Sequence, residues 1–406
     1  MADAEDYTIN FYNAKKLGDM YLVTTHHGSH VFLTDKEFLS LVRNKFSEIP
    51  GLEDKLKRAG VIINEGNVKD IISAYRKKYD FLFGGTSLHI VVPTLRCNMK
   101  CVYCHASSKP VNKTEYDMDK KTAEKIVEFI FQSPSHYITI EFQGGEPLLN
   151  FPIVKMIIEK SKELNKQYQR DLELTIVTNL YYMDEEKLKF FIDNDVSICT
   201  SLDGPKEIHN KNRPGSYDTV VKWVRKIQEK YRDVGIRKRR VNALLTITRD
   251  SLGYYKEIID EYVRLGFNTI HIRFLNKLGD ARDVWNKINY SADEFIEFWK
   301  KSMDYILKLN KEGVKLREFG ATILIFKILE PMDPNYMDIR SPCGAAIGQL
   351  VYNYNGDVYT CDEGRMIGED MFKLGNVMSN KYADIVTSDK SCAIIASSTN
   401  DTQICD

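Results

Sequence analysis

The chain has 406 residues with 57 Lys+Arg against 57 Asp+Glu, so its formal charge is zero and no bulk electrostatic case for nucleic acid or anionic lipid exists. A composition of 43% hydrophobic and 28% charged residues excludes disordered and collagenous classes and suits a folded protein of roughly two or three domains. Apolar runs such as 321–326 stop short of the roughly 18 residues a membrane helix needs, and the acidic opening Met1-Ala2-Asp3-Ala4-Glu5-Asp6 is the reverse of a signal peptide, so a cytoplasmic protein without membrane contact is expected.

From Phe11 to about Asn64 the pattern predicts strands at Met20–Thr25 and Val31–Leu33, helices over Asp35–Phe46 and Leu52–Ala59 with Asp35 as N-cap, and a last strand at Val61–Ile63. A winged-helix-like unit over residues 1–86 is the natural reading, with Val68–Tyr79 as a connecting helix and Gly84-Gly85 as its boundary. From Leu88 to about Leu329 strand and helix alternate. Strands are predicted at Leu88–Val92, Tyr137–Phe142, Leu172–Thr178, Val196–Ser201, Val241–Thr248 and Thr269–Phe274, with helices between them. Six such strands predict an α/β core over residues 87–332, a partial (β/α)6 TIM-like barrel. Residues 333–406 lose the alternation and read as a separate small unit, with a hairpin at Tyr354-Asn355-Gly356-Asp357.

Eight cysteines in a chain expected in a reducing compartment argue for metal or thiol chemistry rather than a disulfide framework. Cys97, Cys101 and Cys104 form a C-x3-C-x2-C run just after the first core strand, where barrel enzymes keep their chemistry. Three thiolates on one loop suit three irons of a [4Fe-4S] cube and leave the fourth iron free for a small molecule. Zinc is the competing metal, with His105 as a fourth ligand, although a His adjoining the last cysteine has difficulty reaching the same tetrahedral ion. Cys199 reads as a small buried apolar residue within a strand.

The triplet, with aromatic Tyr103 before its last cysteine, resembles the cluster loop of the radical S-adenosylmethionine (SAM) superfamily. The resemblance implies a [4Fe-4S] cluster whose open iron binds SAM and whose electron cleaves it to a 5′-deoxyadenosyl radical. Further positions follow in the superfamily's order. Gly144-Gly145-Glu146-Pro147 follows the second strand; its glycines allow close backbone approach to a ligand, and its carboxylate suits the SAM ammonium. Thr178-Asn179 ends strand three, with Asn179 as a cofactor contact or an ordinary turn residue. Ser201-Leu202-Asp203-Gly204-Pro205 ends strand four and leads to His209 and Arg213. The resemblance gives Ser201 and Arg213 to the SAM carboxylate or ribose, whereas the residues alone read as a tight turn. Asn242 and Arg273 on later strands serve packing or the same site.

Cys343, then Gly356 and Cys361 across the hairpin, resemble the opening of the SPASM extension, which implies auxiliary iron-sulfur clusters. Cys405 stands where that family's later cysteine run would begin, so the auxiliary ligand set read from these residues is incomplete, with Cys392 as a substitute ligand or a structural thiol.

The runs Thr94-Leu95-Arg96-Cys97-Asn98, Phe142-Gln143-Gly144-Gly145-Glu146-Pro147 and Cys361-Asp362-Glu363-Gly364-Arg365-Met366 are similar to the radical SAM maturases of His-Xaa-Ser peptide systems. That resemblance implies modification of a ribosomally made precursor peptide, a partner maturase, and a flavodoxin or ferredoxin-type reductant. An edge strand of the N-terminal unit, Met20–Thr25 or Val31–Leu33, would take an extended leader peptide by backbone pairing; a structural cap is the other reading. An anaerobic sulfatase-maturing enzyme and a non-catalytic iron-sulfur module are the alternatives. The basic run Arg237-Lys238-Arg239-Arg240 reads as a solvated turn.

Overall fold

The computed structural model describes residues 7–235, 241–330, 333–334 and 336–398. Cys405 and the basic run 237–240 lie outside the described residues. The chain divides into two compact units, Met1–Phe83 with Ile323–Tyr336, and Gly84–Thr322 with Met337–Asp406.

In the first unit, β1 (Thr8–Ile9) pairs with β5 (Ile62–Ile63), and β2 (Tyr12–Leu17), β3 (Met20–Thr25) and β4 (His30–Thr34) form an antiparallel sheet in that order. Met20–Thr25 is therefore the central strand, with both backbone edges already paired, and only the second of the two expected edge strands lies at an edge. The missed partner β2 is an exposed, polar strand; with no buried face it carries no period-2 apolar signal. Three helices follow, α1 (Asp35–Val42), α2 (Leu52–Arg58) and α3 (Val68–Lys78). The cap of α1 is Thr34 rather than Asp35: Glu37 N donates to Thr34 Oγ1 at 3.3 Å and Thr34 N to Glu37 Oε2 at 2.7 Å, a reciprocal capping box. Val23, Leu33, Leu41, Phe46, Leu52 and Leu56 fill the core between sheet and helices.

The second unit alternates as the periodicity predicts: β6 (Leu88–Val91), α4 (Lys120–Ile130), β7 (Tyr137–Phe142), α5 (Phe151–Tyr168), β8 (Asp171–Val177), α6 (Glu185–Asp193), β9 (Val196–Ser201), α7 (Lys206–Asn212), α8 (Tyr217–Asp233), β10 (Asn242–Thr246), α9 (Tyr255–Arg264), β11 (Thr269–Ile270) and β12 (Ile272–Arg273). The expected last strand is broken at His271: β12 continues the sheet beside β10, while β11 pairs with β13 (Arg317–Glu318). Helices α10 (Ala281–Ile288) and α11 (Ala292–Lys311) complete this stretch, and α12 (Phe319–Leu329) runs across the boundary at Thr322 into the residues counted with the first unit.

The main sheet runs β12-β10-β9-β8-β7-β6 and continues through β14 (Gln349–Tyr352), β15 (Asp357–Tyr359) and β16 (Lys373–Asn376). Strands β6 to β10, β12 and β14 are mutually parallel; β15 runs antiparallel to both its neighbours, β14 and β16. The stretch after residue 333, expected as a small unit of its own, thus lends three strands to the core sheet, with Val351 in register with Ile90. The turn Asn353–Gly356 closes the expected hairpin, Gly356 at φ +82° and Asn353 N donating to Asp357 O at 2.9 Å. Short helices α13 (Asp362–Ile367), α14 (Tyr382–Val386) and α15 (Asp389–Ser397) end the described chain.

Alternation along the strands divides them into two faces. Ile138, Ile140 and Phe142 of β7, Leu174 and Ile176 of β8, and Ile198 of β9 join the apolar core with the helices. Each such side chain contributes about 1.5–3 kcal/mol of burial. Glu141, Thr175 and Cys199 fall on the other face. Because the strands are parallel, the loops after β6, β7, β8 and β9 all leave from one end of the sheet.

Candidate functional site

The loop after β6 is built before it carries chemistry. Arg96, 9% exposed, donates from Nε to Asp117 Oδ1 at 2.7 Å and from Nη2 to Asp117 Oδ2 at 2.6 Å, and from Nη1 to Val111 O at 2.7 Å. Cys97 N donates to Lys109 O and Val102 N to Asn212 O, both at 2.9 Å, which ties the loop to itself and to the end of α7.

Cys97, Cys101 and Cys104 are partly exposed free thiols on this loop. Burial pushes the Cys97 thiol up to about 12, and the neighbouring Glu146, Cys101 and Cys104 add to the rise. Coordination reverses that preference, since an iron takes the thiolate. The surroundings suit sulfur that carries negative charge: Met99 N reaches Cys97 Sγ at 3.4 Å, Asn179 Nδ2 the same sulfur at 3.8 Å, and Arg213 Nη1 reaches Cys101 Sγ at 3.6 Å. Among the described residues no three His, Cys, Asp or Glu side chains gather closely enough to share one ion. Three thiolates on one loop match the donor set of a cube, which takes one thiolate at each of three irons, whereas a structural zinc site is closed by a fourth protein ligand. His105, the candidate fourth ligand of the competing zinc reading, has its Nε2 buried without a partner, and burial with Arg273 nearby lowers its imidazolium pKa to about 4.

The loop after β7 packs directly on the first. A Cβ on Gly144, at φ +127°, would stand 2.5 Å from Thr94 O, and one on Gly145 would stand 2.1 Å from Arg96 O. The close approach these glycines permit is thus to the backbone of the cysteine loop itself, with Gly145 N donating to Thr94 O at 3.0 Å and Glu146 N to Arg96 O at 2.7 Å. Pro147 opens a short 3-10 turn that carries the chain away. Glu146 is 1% exposed; its carboxylate accepts from Thr178 Oγ1 at 2.6 Å, Asn179 N at 2.8 Å and Leu148 N at 3.1 Å. Burial lifts its pKa to about 7 against these three donors.

From the end of β8, Asn179 Nδ2 donates to Asn98 Oδ1 at 3.0 Å, which joins the third loop to the first. Ser201 is the buried last residue of β9. Beyond it, Asp203 is fully buried and accepts from Tyr103 OH at 2.5 Å, Thr246 N at 3.2 Å and Arg213 Nε at 3.3 Å. Arg213 also donates from Nε to Tyr103 OH at 2.7 Å, and its guanidinium lies 5.1 Å from the Tyr103 ring centre. Asp203 N donates to His209 Nδ1 at 3.2 Å, so the His209 proton sits on Nε2, which donates to Ser216 Oγ at 2.8 Å. Burial lowers the His209 imidazolium pKa to about 4, consistent with that neutral tautomer.

Four loops therefore bring Tyr103, Glu146, Asn179, Arg213 and the cysteine triplet together. Asp203, Asp117 and Arg96 carry no local signal in the sequence that marks them as parts of the site. Asp203 sat in a turn-like Asp-Gly-Pro, and Asp117 lies 21 residues from its partner, a separation with no local signal. Arg273 ends β12 and stands near His105 and His271, whereas Asn242 is the exposed first residue of β10, at the opposite end of the sheet from the site. In the C-terminal region Cys361 caps α13, accepting from Gly364 N at 3.2 Å; burial raises its pKa to about 12, with Glu363 and Cys343 contributing. Cys392 is exposed on α15, and Cys199 is only partly buried on β9.

Residues 91–252 match the Radical SAM superfamily, and residues 343–406 match SPASM, an iron-sulfur cluster-binding domain. The cysteine-type anaerobic sulfatase-maturating enzyme of Clostridium perfringens (strain 13 / Type A) is 29% identical over 332 residues, covering 77% of this chain and 83% of that one. The serine-type anaerobic sulfatase-maturating enzyme of Bacteroides thetaiotaomicron is 24% identical over 319 residues, 72% of each. Among solved structures, native anSMEcpe with bound AdoMet superposes with a TM-score of 0.64 at 22% identity, over 77% of this chain and 83% of that one. Streptococcus suis SuiB bound to precursor peptide SuiA superposes at 0.58 with 16% identity, over 96% and 91%.

Proposed function

We propose that this chain, which belongs to the radical SAM superfamily and carries a SPASM domain, is a maturase that modifies a ribosomally made precursor peptide. Its cofactors are the superfamily's [4Fe-4S] cluster and SAM, with auxiliary clusters in the SPASM region. Cys97, Cys101 and Cys104 would hold the first cluster, and Cys343 and Cys361 would contribute to an auxiliary one. When bound, the cluster and SAM supply a 5′-deoxyadenosyl radical able to take a hydrogen atom from a peptide. Glu146 presents an acceptor for the SAM ammonium, already fixed by three donors. Arg213 offers a guanidinium to the carboxylate, with Ser201, Asn179 and Tyr103 completing the cofactor contacts.

The observation that carries this reading is the convergence of four loops on the triplet, with donors aimed at Cys97 and Cys101 sulfur and a carboxylate within the same network. Peptide modification draws support from the superposition on SuiB with its precursor peptide. That alignment spans 96% of this chain, so it has to include most of the N-terminal unit. In that unit's three-stranded sheet, β4 and β2 are the edges able to pair with an extended leader. Kinship with His-Xaa-Ser maturases, and with it a partner maturase and a flavodoxin or ferredoxin-type donor, rests on the residue runs quoted above.

The second reading, oxidation of a Cys or Ser in a sulfatase, is favoured by the 29% identity to the Clostridium perfringens enzyme. Anaerobic reconstitution with SAM and a reductant, followed by mass spectrometry on precursor peptides and on Cys- and Ser-containing sulfatase peptides, separates the two. Sustained 5′-deoxyadenosine formation, lost in Cys101→Ala, is expected. Cluster binding without it would leave a non-catalytic iron-sulfur module.

A further inference from the structure

We propose that Asp203 is a positioning residue that holds the Arg213 guanidinium against the Cys101 sulfur, and that the cation so held raises the reduction potential of the cluster on that loop. The inference rests on the reading of Cys97, Cys101 and Cys104 as the cluster ligands.

Residue 203 grips Arg213 at both ends. On the side-chain end, Asp203 Oδ2 accepts from Arg213 Nε at 3.3 Å and from Tyr103 OH at 2.5 Å, and that hydroxyl itself accepts from Nε at 2.7 Å. On the main-chain end, Asp203 N donates to His209 Nδ1, His209 Nε2 donates to Ser216 Oγ, and Ser216 Oγ donates to Arg213 O at 3.0 Å. Along the main-chain end each donor has a matching acceptor. With Nε committed, Nη1 is left 3.6 Å from Cys101 Sγ. Asp203 is fully buried, and Thr246 N at 3.2 Å ties its other oxygen to β10, so the anchor has no freedom to follow a moving arginine.

The electrostatics give the test its sign. An N–H donor and a positive charge beside a ligand sulfur stabilise the more negative, reduced cluster and raise its potential. The Asp203 charge alone acts the other way. Neutralising it with Arg213 still in place would therefore raise the potential, whereas releasing Arg213 would lower it. The step concerned is the uptake of one electron from an external reductant, with no bond made or broken in the protein.

Full-length wild type, Asp203→Asn, Arg213→Gln and the double variant would be reconstituted anaerobically and titrated without SAM, following the electron paramagnetic resonance signal that Cys101→Ala abolishes, which separates the loop cluster from auxiliary ones. Both single variants are expected to shift to more negative potential, and the double variant no further than Arg213→Gln. A positive or absent shift in Asp203→Asn, no shift in Arg213→Gln, or additive shifts would overturn the proposal. Should Asp203→Asn not fold by circular dichroism, Tyr103→Phe removes only the bridging hydroxyl. It is then expected to shift the potential negative alone and not on the Arg213→Gln background; any other result overturns the proposal. Wild type without a signal that Cys101→Ala abolishes would instead sink the reading of the cysteine loop, an outcome distinct from a cluster that ignores Asp203.

Discussion

Arg96 and Asp117 meet through two parallel charge-assisted hydrogen bonds, 2.7 and 2.6 Å long, that close the cysteine loop at its base. Their side chains are 11% and 23% exposed, so neither charge has water as a ready substitute. Asp117→Asn should lower stability by about 2 kcal/mol, the scale of a charged hydrogen bond lost with little solvent to replace it. Lys113→Ala, which removes an exposed partner of Glu115, should cost less than about 0.5 kcal/mol. Urea unfolding midpoints of the two variants check the contrast, and equal midpoints would contradict it.

Gly145→Ala places a methyl group 2.1 Å from Arg96 O and 2.5 Å from Leu95 O, backbone atoms that cannot swing aside. The two loops must part. We expect SAM affinity, measured by equilibrium dialysis on reconstituted protein, to fall by at least about tenfold, equivalent to about 1.4 kcal/mol. Iron content should fall with it, because the displaced strand of backbone is the one that enters Cys97. Retention of both would show that the loops separate at no cost to the site.

Glu146 makes stability depend on pH. Its carboxyl titrates near 7 in the folded chain against an ordinary 4.5, because burial disfavours its charge. Below 4.5 it is protonated in both states and adds no slope. Between 4.5 and 7 the unfolded chain has released the proton while the folded chain retains it, so stability falls as pH rises, and above 7 the loss is complete, on the order of 3 kcal/mol. In cofactor-free protein Glu146→Gln should flatten that slope, seen in urea midpoints from pH 4 to 8. An ammonium bound at Glu146 favours the charged form, so SAM binding near pH 6.5 should release up to about one proton. Calorimetry in buffers of different ionisation enthalpy reads that release.

Cys361 sits at the start of α13 with Cys343 among the groups that act on it. If both serve one auxiliary cluster, Cys361→Ala should lower iron by about four atoms per chain. Cys392→Ala, at an exposed position on α15, should leave iron unchanged. Iron and sulfide assays on anaerobically purified protein decide it, and equal content in both variants would remove Cys361 from the ligand set.

Local information was enough for the alternation of six parallel strands with helices, because apolar periodicity is a property of each segment by itself: β7 and β9 fall where the pattern places them, to the residue. The spacing of Cys97, Cys101 and Cys104 was equally local. Partnership between distant segments was not. Tyr12–Leu17 carries no apolar alternation to advertise an exposed edge strand, so from sequence Met20–Thr25 reads as an edge although it is the centre. Residues 349–376 looked self-contained, yet pairing of β14 with β6 continues the barrel sheet through them. The same limit held at the site. Asp203 in a Gly-Pro turn carries no mark of its role, since a buried carboxylate is defined by who donates to it, and Tyr103 and Arg213 arrive 100 residues before and 10 after. Chemistry that depends on residue type can be read along the chain; chemistry that depends on which charges are buried side by side is settled only when the loops have folded onto one another.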